Sequence, residues 1–177
     1  KELGIHFLDC GTSGGLEGAR NGVCFMVGGD QKAYKIVEPI FHDLAVSDGC
    51  VYVGPAGAGH FTKLIHNAIE FGMLQAIGEG VAMLEASDYK IDIAQLMYNW
   101  SHGSVIRGWL VELMGRGLRE NKLEELSDFV EDTREVRWAV EYALEKEICI
   151  PVISQAEFAL YRSRDLENIS AKAVAVM

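Results

Sequence analysis

The stretch GPAGAGHFTKLIHNAIEFG, residues 54–72, marks the point at which the sequence changes its pattern. Before it, short apolar runs alternate with glycine and predict β-strands, namely GIHFLDCG (4–11), VCFMVGG (23–29) and CVYVG (50–54). A helical pattern over 30–45 separates the last two, and strand–helix–strand is an α/β arrangement. After it, helical periodicity dominates, at about 58–86, 92–100, 104–119, 123–130, 134–146 and 151–163. The sequence therefore predicts an α/β part over residues 1–57 and an all-helical domain over residues 58–177.

Composition and charge restrict the class of protein. The chain has 177 residues, of which 49% are hydrophobic and 24% charged, as in a soluble globular protein. Its net charge of −10 disfavours nucleic acid and anionic membranes as partners, although a local basic pocket could still bind a small anion. Four cysteines without metal-ligand spacing predict reduced thiols, a cytoplasmic location and no structural metal.

The first residue is Lys rather than Met, and KELGIHFLDCG reads as a helix end that runs into a strand. We therefore expect the chain to begin inside a larger domain. No G-x-G-x-x-G stretch, the fingerprint that binds a dinucleotide pyrophosphate, occurs in these 177 residues. Alone, they are not expected to bind a dinucleotide productively.

The helix over 60–73 carries a short polar face. At about 100° per residue, Lys63, Asn67 and Glu70 fall within an arc of roughly 60°, which His66 widens to about 100°. One interpretation is an amphipathic surface helix. The other is a pocket wall, because apolar residues continue the same side one and two turns later. Lys63 and Glu70 stand about 10 Å apart along the axis, a spacing suited to a base and an acid that flank a small molecule.

Two glycine-rich segments adjoin this helix. In TSGGLEGARNG (12–22), Ser13, Gly14 and Gly15 could offer a hydroxyl and backbone N–H groups to carboxylate or phosphate oxygens. Such runs are as often plain turns. GPAGAGH (54–60) is a second flexible turn, whose small residues allow close approach of backbone or ligand.

Together these motifs resemble the 6-phosphogluconate dehydrogenases, within the β-hydroxyacid dehydrogenase superfamily. SGGLEGARNG, MVGG (26–29) and GAGHFTK (57–63) are similar to superfamily motifs. KLIHNAIEFG (63–72) is the discriminating one, because it resembles the K-x-x-H-N-G-I-E-Y-G of the phosphogluconate enzymes. HGSVIRGWL (102–110) and RWAVEYALEKEICIPV (137–152) extend the resemblance to nearly the whole chain.

The resemblance implies a fold and an activity. Residues 1–57 would be the C-terminal part of a Rossmann-type cofactor domain, and residues 58–177 a helical substrate and dimerisation domain. The activity would be oxidative decarboxylation of 6-phospho-D-gluconate to ribulose 5-phosphate and CO2, in the pentose phosphate pathway. The cofactor would be NAD or NADP, with NAD preferred because the short bacterial enzymes look closest. The family uses no metal and forms homodimers.

The resemblance also implies residue roles. Lys63 matches the general base that takes the C3 hydroxyl proton, and Glu70 matches the acid that protonates C1 of the enediol. Ser13, Gly14, Gly15, His66 and Asn67 match substrate-holding positions.

Two departures affect phosphate recognition. Phe71 stands where the family commonly has a tyrosine, and Leu160 where an arginine is usual, with Arg162 or Arg164 as candidates to replace it. They keep open a dehydrogenase for another β-hydroxyacid. A third hypothesis, from another class, is a non-catalytic helical dimerisation module. The sequence before Lys1 would separate the module from the enzymes.

Overall fold

The N-terminal part of the chain is a three-stranded sheet with two helices. The computed structural model describes residues 4–165 and 167–177. Five elements come first, namely β1 (Leu8–Ser13), α1 (Gly15–Asn21), β2 (Val23–Gly29), α2 (Gln31–Leu44) and β3 (Ala45–Gly54). Strand β2 lies in the middle, antiparallel to β1 with Leu8 opposite Gly29, and parallel to β3 with Met26 opposite Val51.

Helix α2 connects the parallel pair. It begins at Asp30, whose carboxylate accepts hydrogen bonds from the backbone N–H groups of Lys32 and Ala33. Its buried Tyr34 stacks near the ring of Tyr52 in β3, so that the helix packs on the sheet through an aromatic contact. Pro39 lies inside α2 without ending it.

The remaining elements are helical. They are α3 (Ala58–Glu85), α4 (Ile93–Trp100), α5 (Trp109–Glu120), a 3₁₀ turn (Leu123–Glu125), α6 (Glu135–Glu145), α7 (Pro151–Arg162) and α8 (Ile169–Val176). The chain divides into two compact units, Lys1–Ala68 and Ile69–Met177, and the division falls inside α3. In the second unit, Val81, Ile93, Met97 and Val111 form a buried cluster. None of the helices that the structure describes is long and apolar enough to cross a bilayer.

The predicted class, an α/β part followed by helices, is confirmed, and all three strands precede residue 57. Several boundaries were wrong. Residues 15–21, for which the sequence left open a plain turn or an oxygen-binding loop, form α1. Residues 104–108 are not helical, since the N–H of Arg107 closes a turn onto the C=O of Ser104.

Residues 123–130 also differ from the prediction, because Leu123–Glu125 form a 3₁₀ turn and residues 126–130 are not helical. Their apolar side chains, including Leu126 and Phe129, are exposed, and an isolated short helix without packing is marginal in water. Helix α8 was not predicted. It begins at Asn168, whose side chain accepts a hydrogen bond from the N–H of Ala171.

Candidate active site

Three polar side chains meet on the first half of α3. The Lys63 amine donates to Asn67 Oδ1 at 2.5 Å and lies 3.3 Å from His66 Nδ1. Residues three and four apart in a helix are neighbours on its surface, so the sequence spacing alone brings them together. Asn67 is buried, at 9% exposure, whereas Lys63 and His66 are half-buried. The cluster is therefore partly shielded from water yet open to a small molecule.

Strand β1 adds a fourth side chain to this cluster. Ser13, the last residue of β1, places its Oγ 3.0 Å from His66 Nε2. The Nδ1 of His66 lies 3.0 Å from Asn67 Oδ1, which can only accept. With the proton on Nδ1, the ring donates to Asn67 and its Nε2 accepts from the Ser13 hydroxyl; with the proton on Nε2, the ring donates to Ser13 and its Nδ1 accepts from the Lys63 amine. The structure thus brings together four of the predicted site residues, Ser13, Lys63, His66 and Asn67.

Lys63 lies directly against the backbone of β1. A Cβ at Gly11 would stand 2.5 Å from Lys63 Cβ and 2.7 Å from the carbonyl oxygen of Gly59, both far inside van der Waals contact. A glycine is therefore required at position 11 if Lys63 is to hold this place.

A buried carboxylate fixes the start of α3. Asp9, only 3% exposed, accepts hydrogen bonds from the backbone N–H groups of Gly57 at 2.7 Å and His60 at 2.9 Å. Burial acts to raise the pKa of this carboxyl group, but the two backbone N–H groups and the nearby His60 outweigh it, so that the pKa lies below its ordinary value. Asp9 was missed in the sequence. The available signal was one acidic residue within the apolar run GIHFLDCG, since a buried charge needs partners.

The glycines around this carboxylate permit backbone contact. A Cβ at Gly28 would lie 2.6 Å from the backbone nitrogen of Gly59 and 2.8 Å from Asp9 Oδ1. A Cβ at Gly59 would lie 2.6 Å from the carbonyl oxygens of both Asp9 and Met26. The sequence left open whether GPAGAGH admits a backbone or a ligand. The atoms closest to Gly59 are backbone carbonyl oxygens, so this glycine admits the backbone of the neighbouring strands.

Gly14 and Gly15 form the bend between β1 and α1. Their φ angles, 134° and 57°, lie in the left-handed region that favours glycine. A Cβ at Gly15 would meet nothing, so the backbone on that side is open. Their predicted role in holding substrate stays a prediction.

The remaining predicted residues lie in the second unit. Glu70 is half-buried on α3, two turns beyond Lys63 along the same helix. Leu160 on α7 is buried, at 6% exposure, and Arg164 donates to the carboxylate of Asp132 at 3.1 Å. Within residues 4–165 and 167–177, no three His, Cys, Asp or Glu side chains are grouped as a metal ion would need.

Comparisons with known proteins point to one family. Residues 59–175 match the model of the 6-phosphogluconate dehydrogenase C-terminal domain, and residues 1–54 match that of the NAD-binding domain of 6-phosphogluconate dehydrogenase. The Haloferax volcanii NAD(+)-dependent, decarboxylating 6-phosphogluconate dehydrogenase is 38% identical over 169 residues, which are 94% of this chain and 56% of that protein. A Bacillus subtilis protein, YqeC, whose name assigns it provisionally to the same enzymes, is 48% identical over 178 residues, with 100% of this chain and 60% of that protein covered.

A solved structure agrees. The 6-phosphogluconate dehydrogenase of Plasmodium falciparum, studied in its apo form and with NADP+ and 6-phosphogluconate, superimposes with a TM-score of 0.83 at 28% identity. The match covers 98% of this chain and 40% of that one. The chain thus spans between about two fifths and three fifths of the length of these relatives.

Proposed function

Because this chain belongs to the 6-phosphogluconate dehydrogenase family, we propose that the protein containing it converts 6-phospho-D-gluconate to ribulose 5-phosphate and CO2. The observation that carries the proposal is the cluster of Ser13, Lys63, His66 and Asn67, in which a lysine amine is fixed beside hydrogen-bonding groups suited to a polyhydroxy acid. A nicotinamide dinucleotide, NAD by preference, would supply the hydride acceptor. The pyrophosphate fingerprint is not among these 177 residues, so the roles below are those of this chain's own side chains.

Lys63 is the proposed general base. As a neutral amine it takes the proton of the C3 hydroxyl when C3 is oxidised, and it returns that proton to the C3 oxygen as CO2 leaves and the enediol forms. Its surroundings suit both protonation states. Asn67 Oδ1 accepts from either form, and His66 Nδ1, at 3.3 Å, accepts from the ammonium in one tautomer and donates to the neutral amine in the other.

Glu70 is the proposed acid for the last step. It donates a proton to C1 of the enediol, which was C2 of 6-phosphogluconate, and the hydroxyl on the adjacent carbon, formerly C3, gives its proton to Lys63 as the product ketone forms. Its place on α3, two turns from Lys63, supports separate roles for Lys63 as base and Glu70 as acid, because about 10 Å of helix separates the two groups.

The other five predicted site residues would orient the substrate. Ser13 and His66 form one hydrogen-bonded pair, and Asn67 holds the position of the His66 ring. Gly14 and Gly15 would present backbone N–H groups to the substrate carboxylate. Orientation by such groups matters because a misplacement of about 1 Å can cost about 10²-fold in rate.

A second candidate is a dehydrogenase acting on another β-hydroxyacid. It is favoured by the buried Leu160, which stands where the resemblance expects a phosphate-binding arginine. Phe71, in place of the usual tyrosine, points the same way. Under this alternative the chemistry at Lys63 is unchanged, and the substrate lacks a phosphate.

The experiment assays the full-length protein that contains this chain with 6-phosphogluconate and other β-hydroxyacids, using NAD and NADP. Lys63→Met should lower kcat by about 10²–10⁴-fold, because a general base is lost. Glu70→Gln should lower kcat with little change in KM, since it keeps size and hydrogen-bonding shape. Lys90→Met, which removes an exposed lysine, is the matched control and should leave kcat unchanged.

Three results would count against the proposal. A folded Lys63→Met variant that turns over 6-phosphogluconate at a near-normal rate would remove Lys63 from the mechanism. Full activity on another hydroxyacid, with none on 6-phosphogluconate, would select the second candidate. Inactivity on every acid, from a folded protein that binds a nicotinamide dinucleotide, would favour the non-catalytic module.

A further inference from the structure

Strand β1 and helix α3 touch at three successive points. Asp9, Gly11 and Ser13 alternate along β1, so their side-chain positions share one face of the strand. On α3 they meet His60, Lys63 and His66, which recur every three residues on one side of the helix. The strand therefore follows the polar face of the helix residue by residue, with Lys63 in the middle.

The three contacts differ in how firmly they can hold the helix. At Gly11 the contact is steric and sets only a limit of approach to Lys63. At Ser13 it is one half-buried hydrogen bond between a hydroxyl group and an imidazole ring. At Asp9 it is a pair of short bonds from backbone N–H groups to a buried carboxylate, and bonds to a charged acceptor are roughly twice as strong as neutral ones.

We propose that Asp9 is a positioning residue for Lys63: its carboxylate fixes the first turn of α3 against β1 and so places the Lys63 amine. The inference rests on the proposed function, in which Lys63 is the base. From His60, which Asp9 binds through the backbone, Lys63 is a single helical turn away. A shift of that turn therefore moves the lysine with it.

The room for this carboxylate is made by glycine. Gly28 leaves space beside the Asp9 oxygens, and Gly57, with φ 94°, turns its N–H towards Asp9 Oδ1 in a conformation that L side chains rarely adopt. Gly57 belongs to GPAGAGH, whose small residues allow close approach of backbone or ligand, and Gly28 belongs to MVGG (26–29). Around Asp9 their contacts are with this carboxylate and the backbone of Gly59.

The first unit contains a matched control. Asp30 also caps a helix, α2, by accepting from two backbone N–H groups, at 2.7 and 3.1 Å. None of the predicted site residues lies on α2. Asp9→Asn and Asp30→Asn therefore remove the same charge from the same kind of cap, and only the first cap belongs to the helix that carries Lys63.

The test uses the full-length protein and two measurements. The first is kcat with 6-phosphogluconate. The second, which needs no turnover, is the rate at which a small amine-acylating reagent labels Lys63 relative to the exposed Lys90, followed by mass spectrometry under conditions where each variant is folded. We expect Asp9→Asn to lower kcat by about 10²-fold, as a displaced catalytic group would, and to change the Lys63 labelling ratio. Asp30→Asn should alter neither.

Each outcome decides between the hypotheses. If Asp9→Asn leaves the labelling ratio unchanged, Asp9 does not position Lys63, whatever happens to kcat. If the wild type does not turn over 6-phosphogluconate but the ratio changes in Asp9→Asn alone, the proposed function fails and the positioning role stands. Asp9→Ser, which keeps one acceptor oxygen, replaces Asp9→Asn if that variant does not fold.

Discussion

The two compact units use helix α3 in opposite ways. In the first unit the helix begins in backbone-to-backbone contact, with Gly59 pressed against the carbonyl oxygens of Asp9 and Met26. In the second unit the same helix contains Gly78, around which a Cβ would meet nothing within 4 Å. Glycine is thus required by close contact at the start of α3, whereas further along the same helix it is sterically unconstrained. Position within the fold, rather than the motif, determines what a glycine contributes.

The largest expected effect on stability is at Gly59, at the start of α3. Gly59→Ala would place a methyl group 2.6 Å from two carbonyl oxygens that belong to strands and cannot yield cheaply. We expect a loss of about 3 kcal/mol in the free energy of unfolding, the upper end for overpacking a core. Urea denaturation of the wild type and variant measures it. A loss below about 1 kcal/mol would mean that the α3 contact with the sheet is loose.

The next effect concerns exposed apolar side chains of the second unit. The sequence predicts pairing of two copies through residues 104–118; there Val105 is 98% exposed and Ile106 is also exposed, whereas Met114 packs on the core. We expect a dimer at micromolar concentration, and Ile106→Asp should raise its dissociation constant about tenfold or more. Ile36→Asp, at an exposed site of the first unit, is the control. Light scattering that gives a monomeric wild type would contradict the prediction.

A smaller effect is the pH dependence of the free energy of unfolding, which should differ between the two carboxylates that cap helices, Asp9 and Asp30. The pKa of Asp9 lies below its ordinary value of 3.8, so its stabilisation is complete above that pH and is lost as pH falls through the lower, folded-state pKa. The difference in unfolding free energy between wild type and Asp9→Asn should therefore shrink towards zero as pH falls from 7 to below 3.8. The neighbouring His60 also acts electrostatically to lower the pKa of Asp9.

The Asp30→Asn variant calibrates this measurement. The pKa of Asp30 is also lowered, by the N–H groups of Ala33 and Lys32, but this carboxylate is exposed and screened by water. We expect a weaker dependence on pH for Asp30→Asn than for Asp9→Asn. If the two variants depend equally on pH, burial of the Asp9 carboxylate does not strengthen its contribution to stability.

The sequence predicted the class of fold because its two periodicities, two residues in strands and 3.6 in helices, change at GPAGAGH. It predicted the cluster of Lys63, His66 and Asn67 because i, i+3 and i+4 residues share one side of a helix. Ser13 was found through its motif, and its contact with His66, 53 positions further along the chain, is not described by any local pattern.

Asp9 illustrates what local patterns cannot show. Its partners, Gly57 and His60, are about fifty residues away in the chain, and a single acid in an apolar run gives no indication of which helix it caps. The segment 123–130 illustrates the opposite case, in which the sequence predicted a helix that the structure does not contain. Its periodicity is helical, but its apolar side chains are exposed, and helices of that length depend on packing.

The smallest expected effect lies at the unconstrained end of the comparison. Gly78→Ala should raise the free energy of unfolding by about 0.5–1 kcal/mol, because alanine loses less conformational entropy than glycine in a helix and the added methyl group meets open space. Gly80→Ala, in equally open surroundings, should behave alike. Urea denaturation at two protein concentrations measures both. A loss of stability in Gly78→Ala that appears only at the higher protein concentration would show that a second copy covers this turn of α3. Gly78 would then be sterically unconstrained, in contrast to Gly59, only within a single chain.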